Sequence, residues 1–118
     1  MAIKKQPFYR RLQIQSGGEA SNQLADDTPP NGIRYYYQHI SAINDLNAYT
    51  SVVMAAGVQG GEQEFNFVGN PQAGERVDHD IPIIVVEQNE HLVVTFTGAT
   101  SGDTLTVYLR GYSEARDV

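Results

Sequence analysis

The chain has 118 residues, 41% of them hydrophobic, no cysteine and a formal net charge of −6. One ordinary domain is expected, burying about two-thirds of its unfolded surface, and the absence of cysteine excludes a disulfide framework and thiolate metal sites. No run of about 18 apolar residues occurs and no apolar segment follows the basic start MAIKKQPFYRR, so neither a membrane span nor a secretory signal is expected.

Charge is unevenly distributed. Four basic residues (Lys4, Lys5, Arg10, Arg11) and no acid precede Glu19, while the remaining chain sets four basic residues against fourteen acids, so a +4 segment precedes a −10 body. A general nucleic-acid-binding surface is not expected on so acidic a body; the basic segment suits either phosphate or the acidic body of a neighbouring copy.

Residues 1–32 read as an extended N-terminal arm and linker. Pro7, the Ser16-Gly17-Gly18 break and the cluster from Asp26 to Gly32 all resist regular structure. Within the arm, Phe8, Leu12 and Ile14 share one face of an extended segment with Arg10 between them. Ordering about 18 backbone residues costs on the order of 1–2 kcal/mol each. Exposed ion pairs return at most about 1 kcal/mol apiece, and burial of the three apolar side chains adds roughly 1.5–3 kcal/mol each. The arm is therefore expected to be mobile in isolation and ordered only by pairing with another chain's sheet. Lys4, Lys5, Phe8, Tyr9, Arg10, Arg11, Leu12 and Ile14 are its candidate partner-binding residues.

From Ile33 strand signals arrive at steady spacing: IRYYYQHI (33–40), AYTSVVMAAGV (48–58), EQEFNFV (62–68) and RVDHDIPIIVV (76–86). Pro82 argues that the last of these lies at an edge or a bulge. Asp45-Leu46-Asn47, Gln59-Gly60-Gly61 and Gly69-Asn70-Pro71 serve as turns. The strongest pattern closes the chain. Leu92, Val94 and Phe96 alternate with Val93, Thr95 and Thr97, and Leu105, Val107 and Leu109 alternate with Thr106, Tyr108 and Arg110. The loop Gly98–Asp103 between them predicts an antiparallel hairpin with one buried face, whose six apolar residues belong to the core. No segment shows a sustained 3.6-residue period. The expected fold is all-β: an antiparallel β-sandwich or jelly-roll-like domain over residues 33–118, preceded by the arm.

Candidate chemistry is sparse. His39, His79 and His91 are the available imidazoles, but Asp78 and Asp80 share a strand face that His79 does not, and no HExxH or paired-histidine spacing occurs. Thr100 and Ser101 lack a nucleophile elbow, and the loop around them lacks the lysine of a phosphate-binding loop. Glu62 with Glu64, and Glu87 with Glu90, read as solvated pairs; glycosidase chemistry needs two carboxylates converging in a cleft. No catalysis, metal or cofactor is expected. Tyr35, Tyr36 and Tyr37 must place two rings on one face and one on the other, and the outward ring, taken as Tyr36, suits an interface.

The order of features over residues 33–112 resembles accessory virion proteins of tailed bacteriophages. A strand ends in YQHISAIND, a Gly-rich reversal follows at VQGGE, the proline-bearing HDIPIIVVEQNEHL comes next, and TGATSGDTLTVYLRGY closes the chain. The resemblance implies a small non-catalytic β-sandwich, made in the bacterial cytoplasm and located in the virion. It would bind the major capsid protein or other virion subunits as a homo-oligomeric head decoration or cement protein. A carbohydrate- or receptor-binding module of a tail or fibre is the alternative reading.

Overall fold

The computed structural model describes residues 3–116. Among these residues every regular element is a strand: β1 (Ile3–Gln15), β2 (Ser21–Ala25), β3 (Ile33–Asn44), β4 (Ser51–Val58), β5 (Gln63–Gly69), β6 (Val77–His79), β7 (Ile84–Val86), β8 (Glu90–Thr97) and β9 (Thr104–Arg116). They form two antiparallel sheets packed face to face, the β-sandwich that the alternation predicts. The long sheet has the order β1-β9-β3-β6, with β7 also on β3 beside β6; the short sheet has the order β2-β8-β4-β5. Strands of 12 and 13 residues in the long sheet account for the 49 Å extent of a molecule otherwise 25 by 22 Å, since each strand residue advances about 3.3 Å.

The core is built from the predicted faces. Leu92, Val94, Phe96, Leu105, Val107 and Leu109 are all 0% exposed, joined by Ile40, Val52, Met54, Val86 and the ring of Tyr37. Their neighbours, however, differ from expectation. The 92–97 and 104–112 segments do not pair with each other: β8 lies between β2 and β4, whereas β9 lies between β1 and β3. The loop between them is an arch that crosses from one sheet to the other, so the two apolar faces meet across the core instead of lying side by side. The same alternation serves both arrangements, and a six-residue connection is long enough for the roughly 10 Å between packed sheets. Asp103 holds the arch. Its carboxylate accepts hydrogen bonds from Asn44 Nδ2 (2.8 Å), Asn47 Nδ2 (2.6 Å) and the Thr100 amide (2.8 Å). Burial alone would raise its pKa, but these donors hold it below the ordinary value.

The N-terminal segment is also corrected. It is extended, but it pairs along its whole length with β9 of the same chain, from Ile3 opposite Arg116 to Gln15 opposite Thr104. The backbone pairing that ordering the segment demands is supplied internally, because β9 has β3 on one side only and offers its other edge. The following stretch contributes β2, which pairs with β8 through Ser21–Ala25. Only Leu24 of that strand is buried, so its polar sequence carried little strand signal. Residue 32 thus marks no structural boundary between an arm and a sandwich. Pro82 does what its chemistry requires: it separates β6 from β7, two short strands that pair with β3 at the edge of the long sheet.

Candidate functional site

Register places the side chains of the long sheet unambiguously. Residues 8, 10, 12 and 14 of β1 lie on the core side, opposite Gly111, Leu109, Val107 and Leu105. Phe8 and Leu12, expected to be buried against a partner, are half-buried against this chain's own core, and Ile14 stays partly exposed at the other end. The Phe8 ring meets Tyr35 and Tyr37 edge-on, at 5.5 and 5.6 Å between centroids. Tyr35 and Tyr37 therefore face inward and Tyr36 faces outward.

Arg10 is not a free arm charge. Its guanidinium donates to both carboxylate oxygens of Asp26, at 3.0 and 2.6 Å, and it lies over the rings of Phe8 and Tyr35. The Tyr37 hydroxyl donates to the same carboxylate at 2.5 Å. Burial opposes the charged guanidinium, but the Asp26 hydrogen bond and charge outweigh it and the Arg10 pKa is raised. Burial, then the Asp26 charge, push the Tyr37 phenol far above its usual range. Asp26 was not distinguished within the Asp26–Gly32 cluster by sequence; only the close approach of β1 to the end of β2 reveals its role.

The outward face of the long sheet is different in kind. Its cross-strand rows run from β1 through β9 to β3 and the β6–β7 edge. Arg11 lies beside Tyr108, Ser41 and Asp78; Tyr9 lies beside Arg110 and His39; Tyr112 lies beside Tyr36 and Val85; Lys5 lies beside Glu114 and Arg34. Tyr36 and Tyr112 are stacked, with centroids 4.6 Å apart and planes 10° from parallel. Lys5 Nζ sits 5.4 Å from the Tyr112 ring centre, and the Arg76 guanidinium 5.6 Å from that of Tyr108. Arg34 donates to the Tyr36 hydroxyl, which donates in turn to Glu114, both at 3.2 Å. Tyr9 is 67% exposed. Four tyrosines and five cations (Lys5, Arg11, Arg34, Arg76, Arg110) thus share one face of an acidic protein. Of the predicted binding residues, Lys5, Tyr9, Arg11 and Tyr36 come together here, while Lys4 is exposed on the Phe8 side of β1. Tyr108, Arg110 and Tyr112 were legible as the alternate residues to Leu105, Val107 and Leu109, but nothing local marked them as a shared surface with β1.

The histidines are dispersed. His39 lies between Asp78, at 3.3 Å, and Asp80, which hydrogen-bonds its Nδ1. His79 points the other way, donating from Nε2 to the Pro82 carbonyl at 3.0 Å, with its Nδ1 beside the Asn66 amide. His91 Nε2 meets Glu62 at 2.5 Å, a hydrogen bond that lowers the Glu62 pKa. No group of three metal-ligating side chains converges among the described residues. Open depressions occur among the described residues. One of about 470 Å³ is lined by Arg34, Glu87, Asn89 and Glu114, and one of about 320 Å³ by Phe8, Arg10, Pro30 and Tyr35.

The chain matches no protein-family model and no curated protein. Among solved structures it is similar to PirA, with TM-score 0.51 and 12% identity over 86% of this chain and 92% of that one. It is also similar to the Drosophila NLP-core, with TM-score 0.43 and 14% identity over 90% and 97% of the two chains. A CBM4 structure matches with TM-score 0.36 and 14% identity over 84% and 77%. At these identities the likeness to PirA concerns the fold alone.

Proposed function

We propose that this chain is a non-catalytic structural protein of the accessory virion type, a rigid sandwich that attaches to a capsid or another virion subunit through the outer face of its long sheet. The observation that carries this reading is the concentration of Tyr9, Tyr36, Tyr108 and Tyr112 with five cations on the outer face of the long sheet. Tyrosine contributes contact area with little loss of side-chain entropy, and its hydroxyl is satisfied at a wet rim. The sequence resemblance over residues 33–112 supplies the class of partner. β1 pairs with β9 of its own chain, so Lys5, Tyr9 and Arg11 belong to a preformed surface, which removes the ordering cost from attachment.

The test is co-sedimentation of the purified chain with particles that lack it, followed by electron microscopy of labelled protein on those particles. Replacing Tyr9, Tyr36 and Tyr112 with Ala is expected to abolish attachment, while Ala in place of Phe67, exposed on the other sheet, leaves it intact. Attachment unaffected by the tyrosine replacements would refute the assignment.

A further inference from the structure

The two edges of the outer face differ in charge. On β1, Lys5 and Arg11 flank the exposed Tyr9, and no acid occurs anywhere on the strand. On the opposite edge, Asp78 and Asp80 precede an exposed aliphatic run in which Ile81 is 87%, Ile83 47% and Val85 44% exposed. Arg11 and Asp78 lie on one cross-strand row but three strands apart, which at about 4.8 Å per strand is roughly 14 Å. That exceeds the Debye length of about 8 Å at physiological salt, so these charges are largely screened from each other within one chain. His39 bridges Asp78 and Asp80. The neighbouring Arg76 guanidinium is turned away from the edge, donating to the Ser41 hydroxyl and lying over the Tyr108 ring, so the two carboxylates remain the charges of this edge.

We propose that copies of this chain associate head to tail, the basic β1 edge of one docking on the acidic, apolar β6–β7 edge of the next. The occupant of each edge is a second copy, and charge decides the arrangement. A symmetric contact of β1 with β1 places Lys5 and Arg11 against the same residues, and a contact of two β6–β7 edges places Asp78 and Asp80 against theirs. Only the heterologous contact is complementary. It also covers Ile81, Ile83 and Val85 with the stem of Arg11 and the ring of Tyr9, exposed apolar groups that have no cover in the single chain. Pro7 and Pro82 each remove a backbone donor at their edge, so side chains carry the contact instead of an unbroken sheet running between copies. A heterologous contact closes into a ring when the rotation between copies permits and otherwise extends.

This deepens the structural reading above and rests on it for the role that assembly serves; the test uses purified protein alone, so its failure is distinct from a failure of particle attachment. Sedimentation velocity of the wild type at low salt is expected to show concentration-dependent association that weakens at high salt. Lys5→Glu with Arg11→Glu, and separately Asp78→Lys with Asp80→Lys, are each expected to weaken it about tenfold or more. Mixing the two variants in equal amounts is expected to restore it, because each then presents the edge that the other lacks. Because the chain has no cysteine, Tyr9→Cys and Asp80→Cys provide an independent readout: under oxidation the mixture forms the mixed dimer in preference to either homodimer. A monomeric wild type at several milligrams per millilitre, failure of the mixture to re-associate, or preferential Tyr9→Cys homodimers would each overturn the proposal.

Discussion

Arg10 on β1 and Asp26 at the end of β2 form a two-point ion pair that ties the edge of the long sheet to the edge of the short one. Its carboxylate side is 2% exposed and its guanidinium side 31%, so the two ends respond differently to mutation. Arg10→Gln leaves a buried carboxylate facing only the Tyr37 hydroxyl and is expected to lower stability by about 2–4 kcal/mol. Asp26→Asn leaves a guanidinium that water still reaches and is expected to cost less, about 1–3 kcal/mol. Gln at Lys4, Lys5 and Arg11 is expected to change stability by under about 0.5 kcal/mol. Urea denaturation of the variants checks the ranking, and equal effects at all four basic positions would remove the special role of Arg10.

Deleting residues 1–15 is expected to unfold the domain or nearly so. The deletion uncovers the full edge of β9, removes the cover that Phe8 gives Tyr37 and that Leu12 gives the core, and leaves the Asp26 carboxylate only the Tyr37 hydroxyl. Together these losses approach the roughly 5–15 kcal/mol that stabilises an ordinary domain. Far-ultraviolet circular dichroism and a thermal melt of the truncated chain decide this, a melting midpoint equal to that of the intact chain being the contrary result.

Gly111 and Gly74 separate steric need from backbone freedom. Gly111 sits between Phe8 and Tyr37 in neighbouring strands, where a Cβ would collide with the Tyr36 carbonyl, lying 2.9 Å from its carbon and 3.1 Å from the Tyr37 Cα. Gly74 has a φ of +77° but open space around it. Gly111→Ala is expected to cost more than about 3 kcal/mol, because backbone must move, and Gly74→Ala about 1–2 kcal/mol from the left-handed conformation alone. Comparable denaturation midpoints for the two variants would contradict the close approach at Gly111.

Asp103 predicts an acid dependence. Its folded pKa lies below the ordinary 3.8 because of its hydrogen-bond donors, so its contribution is fully present above that value and is lost as the pH falls from about 4 through the depressed one. Asp103→Asn removes the charged acceptor and is expected to cost about 1.5–3 kcal/mol at neutral pH. The gap between wild type and variant is expected to narrow in acid, and a gap that stays constant between pH 7 and pH 2 in denaturant titrations would show that the carboxylate is not held ionised by the arch.

Alternation along the chain was enough to determine the strand character of β3, β4, β5, β8 and β9, the burial of Leu92, Val94, Phe96, Leu105, Val107 and Leu109, and the opposite facing of Tyr36 from Tyr35 and Tyr37. A two-residue period states which side of a strand is apolar, and burial of that side follows from the hydrophobic effect alone. It carries no information about which strand lies alongside. That choice rests on hydrogen bonds and contacts between residues far apart in sequence, and there the tertiary structure decided. It turned the 98–103 loop from a hairpin turn into an arch between sheets, gave β9 the N-terminal segment as its second neighbour, and brought Arg10 to Asp26. It also assembled the tyrosine face, because Lys5, Tyr9 and Arg11 join Tyr36 and Tyr112 only once β1 has found β9.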